Sequence, residues 1–139
     1  MRDAMMKALF ELASNDKNLV LLTADLGYGV FEEFAQKFKG QYFNVGVAEQ
    51  NMVGVATGLA LSGKKVFIYS IGNFSTLRCL EQIRNSIAYH DLPVFIICMG
   101  GGFSYGSLGF SHHATEDLSI MNAIPNLSIY VPASKSESY

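Results

Sequence analysis

Tryptophan is missing from this chain of 139 residues, proline occurs three times, cysteine twice, and charged side chains make up only 16%. The two cysteines, Cys79 and Cys98, share no C-x-x-C spacing, and both fall within apolar periodicity. They read as buried thiols kept reduced in a cytoplasmic setting, and they exclude a disulfide framework. A net charge of −2 leaves no basic stripe on which to build a nucleic-acid interface. No apolar run approaches the ~20 residues that a membrane-spanning helix needs. Nor is there a signal-peptide core, because Arg2-Asp3 leads straight into an amphipathic pattern. A metal centre lacks ligands: His112 and His113 have no third partner at suitable reach, and His90 lies on the amino side of the next strand. The shortage of charge also has a positive reading. Half of the residues are apolar, with ten Phe, seven Tyr and six Met, so part of the exterior is expected to be covered by another chain or domain.

What is present is an alternation of helical and strand patterns within a single-core domain over residues 1–139. Helical spacing of apolar side chains covers 3–14, followed by a short apolar strand at 19–23 and a glycine-containing loop through Asp25, Gly27 and Gly29. A short helix at 30–39 ends at Gly40, a second strand covers 42–45, and a helix at 48–62 ends at Gly63. The third strand, 66–70, leads through Gly72-Asn73-Phe74 to a helix at about 76–89, and the fourth strand is 93–98. A long loop from Gly100 to His113 precedes a short helix near 116–122 and a final strand at 126–131. Residues 132–139 read as the cap and first turn of a further element, so a portion of a longer chain is expected. Strands apolar throughout and separated by helices predict an α/β fold, with a mostly parallel sheet covered on both faces. Ligands of such sheets gather beyond the carboxyl ends of the strands.

Those ends carry the chemically interesting residues. Glu49 is placed where a strand gives way to a small-residue helix, desolvated yet facing anything bound beyond the strand. Such surroundings raise a carboxyl pKa and suit proton exchange with a ring nitrogen; a purely structural buried acid is the alternative. Asp25 follows the first strand and could meet a ligand or a partner, or simply hydrogen-bond its own glycine loop. Asn44, Glu49 and Gln50 bracket the second crossover, and Gln50 and Asn51 read as possible helix caps. Around the third crossover stand Tyr69, Asn73, Phe74 and Arg78. An aromatic there can stack on a planar ring or close the core, and Arg78 can meet an anionic group or form an ion pair. Glu81 and Arg84 have helical spacing for pairing. The Gly100–His113 loop has five glycines in fourteen residues, which lets backbone pass close to a ligand. It lacks G-K-[ST], and no dinucleotide fingerprint follows the first strand. Of its histidines, His112 is the better candidate for substrate contact or acid–base work. No nucleophile elbow is present, so an enzyme on this scaffold needs a cofactor or groups from a second chain.

Four segments, in order, resemble a known family: FNVGVAEQNM (43–52), EQIRNSIAY (81–89), HHATEDL (112–118) and AIPNL (123–127), with a weaker match at TADL (23–26). Together they resemble the pyrimidine-binding domain of transketolases, particularly the C-terminal subunits of split transketolases and deoxyxylulose-phosphate synthase. The resemblance implies that Glu49 bonds N1' of the aminopyrimidine of thiamine diphosphate and promotes loss of the thiazolium C2 proton. It further implies that Phe74 packs on the pyrimidine, with Tyr69 or Leu77 helping, and that Asp25 lies among the cofactor contacts. Arg78 corresponds to an arginine near the substrate phosphate, and His112, with His113 beside it, to the substrate-facing histidine of G-P-T-H. Implied partners are a pyrophosphate-binding subunit or domain that holds most of the Mg and the diphosphate, within a homodimer or heterotetramer. The implied reaction is transfer of a two-carbon ketol or acyl unit from a phosphorylated sugar or ketoacid. The β subunit of a 2-oxoacid dehydrogenase-type decarboxylase shares the same cleft and is the alternative enzymatic reading; a non-catalytic structural homologue is another.

Departures from the family pattern bear on substrate. Where transketolases carry Glu-Asp-Gly-Pro-Thr-His, this chain has Ser107-Leu108-Gly109-Phe110-Ser111-His112. Leu108 therefore replaces the acid that reads a donor hydroxyl, and Gly100 replaces a histidine found after the fourth strand in many members. Losing a polar readout changes discrimination by orders of magnitude, so ordinary pentose phosphates are not the expected substrates. The G-D-G…N segment and a C-terminal domain are not in this sequence, so the chain by itself is expected to be non-catalytic.

Overall fold

The computed structural model describes residues 1–139. Its sheet has four strands, β1 (Leu19–Thr23), β2 (Tyr42–Asn44), β3 (Lys65–Ile71) and β4 (Val94–Met99), all parallel in the order β2-β1-β3-β4. Every residue of β1 is buried, as a central parallel strand covered on both faces requires. Alternation along the strands divides the core in two. Val20, Leu22, Val66 and Ile68 face one layer with Met52, Val53, Ala56, Cys79, Ile83, Ile87 and Met121. Leu19, Leu21 and Tyr69 face the other, with Leu9, Ala13, Phe31, Phe34 and Phe38.

The first layer is built by α3 (Glu49–Leu61), by the segment containing α5 (Leu80–Gln82), and by α6 (Asp117–Asn122). The second is built by α1 (Arg2–Asn15) and α2 (Glu32–Lys37). Phe10, Phe34 and Phe38 meet there in edge and tilted contacts, with centroids 4.8–6.2 Å apart. Buried Gln41 ties the layers to the sheet: its side-chain amide donates to the carbonyls of Asp16 at 2.9 Å and Leu19 at 3.0 Å. No helix is long and apolar enough to cross a membrane.

Three expectations need correction. The region 126–131 forms no strand; it is extended but unpaired, with Tyr130 and Val131 exposed. Asn126 takes a left-handed conformation (φ 63°) and donates its side chain to the Ala88 carbonyl. The helix expected at 76–89 is also not continuous. It consists of a single turn, α4 (Gly72–Ser75), a hydrogen-bonded turn over 76–79, then α5 and a π-helical stretch, Ile83–Ala88. The first turn ends at Thr76, whose backbone leaves helical geometry (φ −110°, ψ −79°) while its hydroxyl and N–H both bond the Gly72 carbonyl, at 2.6 and 3.0 Å. Finally, Cys79 is buried as expected, but Cys98 is exposed, since β4 is an edge strand.

Gly72 sets how closely α4 approaches the loop after β4. A Cβ at this position would lie 3.0 Å from the Ala114 Cβ and 3.4 Å from the Met99 carbonyl oxygen. Both neighbours are fixed, one by strand pairing and the other by the Gly102–Ala114 bridge. Gly72→Ala is therefore expected to destabilise the fold by about 1–3 kcal/mol. Urea unfolding of the two proteins checks this, and an unchanged midpoint would show that the contact can relax.

Candidate active site

Each chemically interesting loop follows the carboxyl end of a strand. The loop after β1 carries Asp25, α3 begins at Glu49 shortly after β2, Phe74 lies on α4 directly after β3, and the glycine-rich loop follows β4. The strand order reverses direction between β1 and β3, the position at which open α/β sheets form a ligand crevice.

Glu49 is the first residue of α3 and only 3% exposed. Its carboxylate sits at the positive end of the helix and accepts a hydrogen bond from Arg78 Nη1 at 2.7 Å. The guanidinium replaces the water that burial removes, as a buried charge requires. Arg78 also lies over the Phe74 ring, 4.1 Å from its centroid, in a cation–π arrangement. His112 meets the same ring edge-on, with centroids 5.0 Å apart. The structure thus joins Glu49, Arg78, Phe74 and His112 into one continuous group.

Neighbours fix that group in place. Gln50 donates its amide to the Arg78 carbonyl at 2.9 Å; it is a brace between two crossovers, not the helix cap expected, and α3 has no side-chain cap at all. Asn73 donates to the Ser111 carbonyl at 2.6 Å, and the Ser111 hydroxyl lies 3.0 Å from His112 Nδ1. The loop is pinched at its base by paired backbone bonds between Gly102 and Ala114, at 2.8 and 3.0 Å. Sequence spacing gives no hint of the roles of Gln50 and Ser111. Both depend on contacts across the fold, 28 residues apart for Gln50 and Arg78, which local pattern does not reveal.

Other candidates lie apart from the group. Tyr69 is buried on the opposite face of β3, edge-on to Phe31 at 4.7 Å; strand alternation makes it a core residue and not a neighbour of Phe74. Asp25 holds its own loop together. It accepts from the Tyr28 hydroxyl at 2.5 Å and from Asn44 Nδ2 at 3.2 Å, while Asn44 Oδ1 accepts its backbone N–H. The Tyr28 and Asn44 bonds hold the Asp25 carboxyl below its ordinary pKa. His113 turns from His112: it pairs edge-on with Phe103 and reaches the Gly106 carbonyl through Nε2. Leu77 is partly exposed in the turn beside Arg78, and Leu108 is exposed on a single 3-10 turn. Arg84 bonds Asn85 instead of pairing with Glu81.

Gly100 has a specific neighbour. Its φ is +74°, and a Cβ there would lie 2.1 Å from Cε2 of Tyr105. The Tyr105 ring therefore fills the position of any side chain at residue 100, and its centroid is 6.0 Å from that of His112. Several large apolar side chains are exposed in loops at this end of the sheet: Tyr28, Val47, Phe103 and Phe110. An apolar rim around polar groups is the pattern of a surface completed by another chain or domain.

A family model described as the pyrimidine-binding domain of transketolase matches residues 1–139. The chain belongs to this family. It is 45% identical over 133 residues to a putative transketolase C-terminal section of Methanocaldococcus jannaschii, covering 95% of this chain and 42% of that protein. One of the subunits of an apulose-4-phosphate transketolase from Phocaeicola vulgatus is 38% identical, with 94% and 42% covered. A split-gene transketolase solved as an inactive β4 tetramer superposes with a TM-score of 0.85 at 40% identity, covering 99% of this chain and 44% of that one. The chain spans about two fifths of the length of these curated relatives.

The residues present fit the aminopyrimidine of the family's cofactor. A buried carboxyl can share a proton with a ring nitrogen, and beside it an aromatic face already holds a planar group, the Arg78 guanidinium. Beneath them lies Cys79, whose thiol burial pushes up to about 12, with the nearby Glu49 charge acting in the same direction. Its Sγ–H is directed to the Phe74 carbonyl at 3.2 Å. The thiol therefore stays protonated and inert across the neutral range. Native protein treated with iodoacetamide at pH 8 is expected to leave Cys79 unmodified, and denatured protein to label it. Peptide mass spectrometry reads the result, and rapid native labelling would contradict the burial.

Proposed function

We propose that this domain supplies the pyrimidine half of the active site of a thiamine-diphosphate-dependent, transketolase-like transferase, completed by a pyrophosphate-binding subunit or domain. The observation that carries the reading is Glu49, buried at the mouth of the sheet beside the Phe74 ring. When bound, thiamine diphosphate supplies a nucleophilic carbon and an electron sink for transfer of a two-carbon ketol or acyl unit. Glu49 hands a proton to N1' of the aminopyrimidine, which favours the imino tautomer, and its desolvated setting strengthens that hydrogen bond. Phe74 offers a stacking face. His112, oriented by Ser111 at Nδ1, faces the substrate side with Nε2 available for proton transfer or hydroxyl contact. Mg and the diphosphate are held mainly by the partner. The inactive β4 assembly of a split-gene relative agrees with the expectation that this half does not act alone. Membership in the transketolase family supports transfer over the dehydrogenase-type decarboxylation.

The substrate side favours a donor with fewer hydroxyls than a pentose phosphate. Leu108 offers no acceptor, and Tyr105 places an aromatic ring over Gly100, where other members carry an imidazole. Burial raises the Tyr105 pKa, so its phenol is neutral at physiological pH.

Glu49→Gln in the complete assembly is expected to slow thiamine C2 proton exchange by at least about a hundredfold, the scale of general acid–base catalysis, with folding retained. Proton-exchange NMR together with circular dichroism tests this, and exchange at the parental rate would remove Glu49 from the proposed role. Leu108→Asp is expected to raise kcat/KM for hydroxylated keto donors relative to less hydroxylated ones by roughly tenfold. A donor screen of the reconstituted enzyme measures the ratio, and an unchanged preference would locate the readout elsewhere.

A further inference from the structure

We propose that the Arg78 guanidinium is an internal stand-in for the cofactor's aminopyrimidine, occupying the Glu49 and Phe74 contacts until the cofactor displaces it; this inference rests on the functional reading above. Three observations converge on it. Arg78 donates to the buried Glu49 carboxylate at 2.7 Å. The same planar group lies 4.1 Å from the Phe74 centroid. An aminopyrimidine protonated at N1' is likewise a planar cation, and it too would offer an N–H to the carboxylate and a face to the ring. One carboxylate and one aromatic face in these positions are therefore claimed by two groups of matching shape and donor pattern.

The position also suits departure. The Arg78 side chain is 44% exposed while that of Glu49 is 3% exposed, so the acid is fixed and the guanidinium is the member that can move. The Arg78 backbone stays anchored, because Gln50 holds its carbonyl at 2.9 Å. Displacement is then a rotation of the side chain about a fixed point. It leaves the guanidinium on the solvent side of Phe74, where an anionic group of the substrate could receive it. The ion pair keeps Glu49 compensated in the meantime, since a buried carboxylate without a cation or donor is strongly unfavourable.

Displacement of an internal competitor lowers apparent affinity by the fraction of molecules in which the site is open. The test is thiamine diphosphate binding with Mg to the complete assembly, followed by calorimetry and by stopped-flow near-ultraviolet circular dichroism. Parental protein is compared with Arg78→Gln and Arg78→Lys. Arg78→Gln is expected to bind roughly threefold to tenfold more tightly and to associate faster, the scale of a half-exposed ion pair. Arg78→Lys, which keeps charge but not the planar stack, is expected to lie between the two. Raising salt from about 50 to about 500 mM is expected to speed association in the parental protein and not in Arg78→Gln. Equal or weaker binding by Arg78→Gln, with the same salt dependence as the parent, would overturn the proposal while leaving the cofactor assignment standing. Absence of saturable binding by the parental assembly would overturn both.

Discussion

A carboxylate removed from water survives only with a cation or several donors around it, and Glu49 obtains its cation, Arg78, from the way the chain is wound. Its position at the start of α3 aligns it with the unpaired N–H groups of the first helical turn. Arg78, reached through a different crossover, brings a guanidinium to 2.7 Å. Both residues depend on the parallel sheet, because parallel pairing of β2 and β3 with β1 between them carries the carboxyl ends of β2 and β3 to the same rim. The remaining site geometry follows from this pair. Phe74 is positioned under the guanidinium, His112 against Phe74, Ser111 against His112, and Asn73 against the Ser111 carbonyl.

Close packing at the base of the loop gives this arrangement its rigidity. Gly72 admits Ala114 to a distance that any larger residue would increase, and the Gly102–Ala114 bridge closes the loop on itself. Beyond that pinch the chain is held by backbone and aromatic contacts: Tyr105 over Gly100, and His113 against Phe103. The loop therefore has a fixed base, which positions His112, and a tip carrying exposed Leu108 and Phe110.

The sheet and its helices were legible from the sequence because their signals are local. Leu19–Thr23 is apolar at every position but the last, and glycines at 40 and 63 mark where helices end. Glu49, Phe74, Arg78 and His112 were legible as candidates because each follows a strand, but their mutual contacts were not. That Arg78 bridges Glu49 and Phe74 depends on the turn at 76–79, where a continuous helix was expected. Tyr69 fills the core-closing role, the second of the two readings open to an aromatic at this crossover, because strand alternation gives its face only once the faces of Ile68 and Ser70 are known. The strand expected at 126–131 does not form because β-pattern alone does not supply a hydrogen-bonding partner, and Asn126 starts the segment in a left-handed turn. Cys98 was misassigned on the same account, since apolar surroundings in sequence do not distinguish an edge strand from a central one.

A half-site faces opposing demands. It must fold with its polar groups satisfied, and in the proposed role it must also present some of them to a ligand held largely by another polypeptide. Leaving Glu49 unpaired would satisfy the second demand at the expense of the first, because a buried uncompensated charge destabilises a domain by several kcal/mol. Pairing it with an equally buried cation would satisfy the first and close the site. Pairing it with a long, partly exposed side chain satisfies both, because the cation's head can return to water while its stem and backbone remain in place. The asymmetry of exposure between Glu49 and Arg78 is thus the feature that lets one sequence encode both a stable fold and an accessible carboxylate. The same logic accounts for the aromatic partner: the Phe74 face stabilises a planar cation or a planar heterocycle without committing to either.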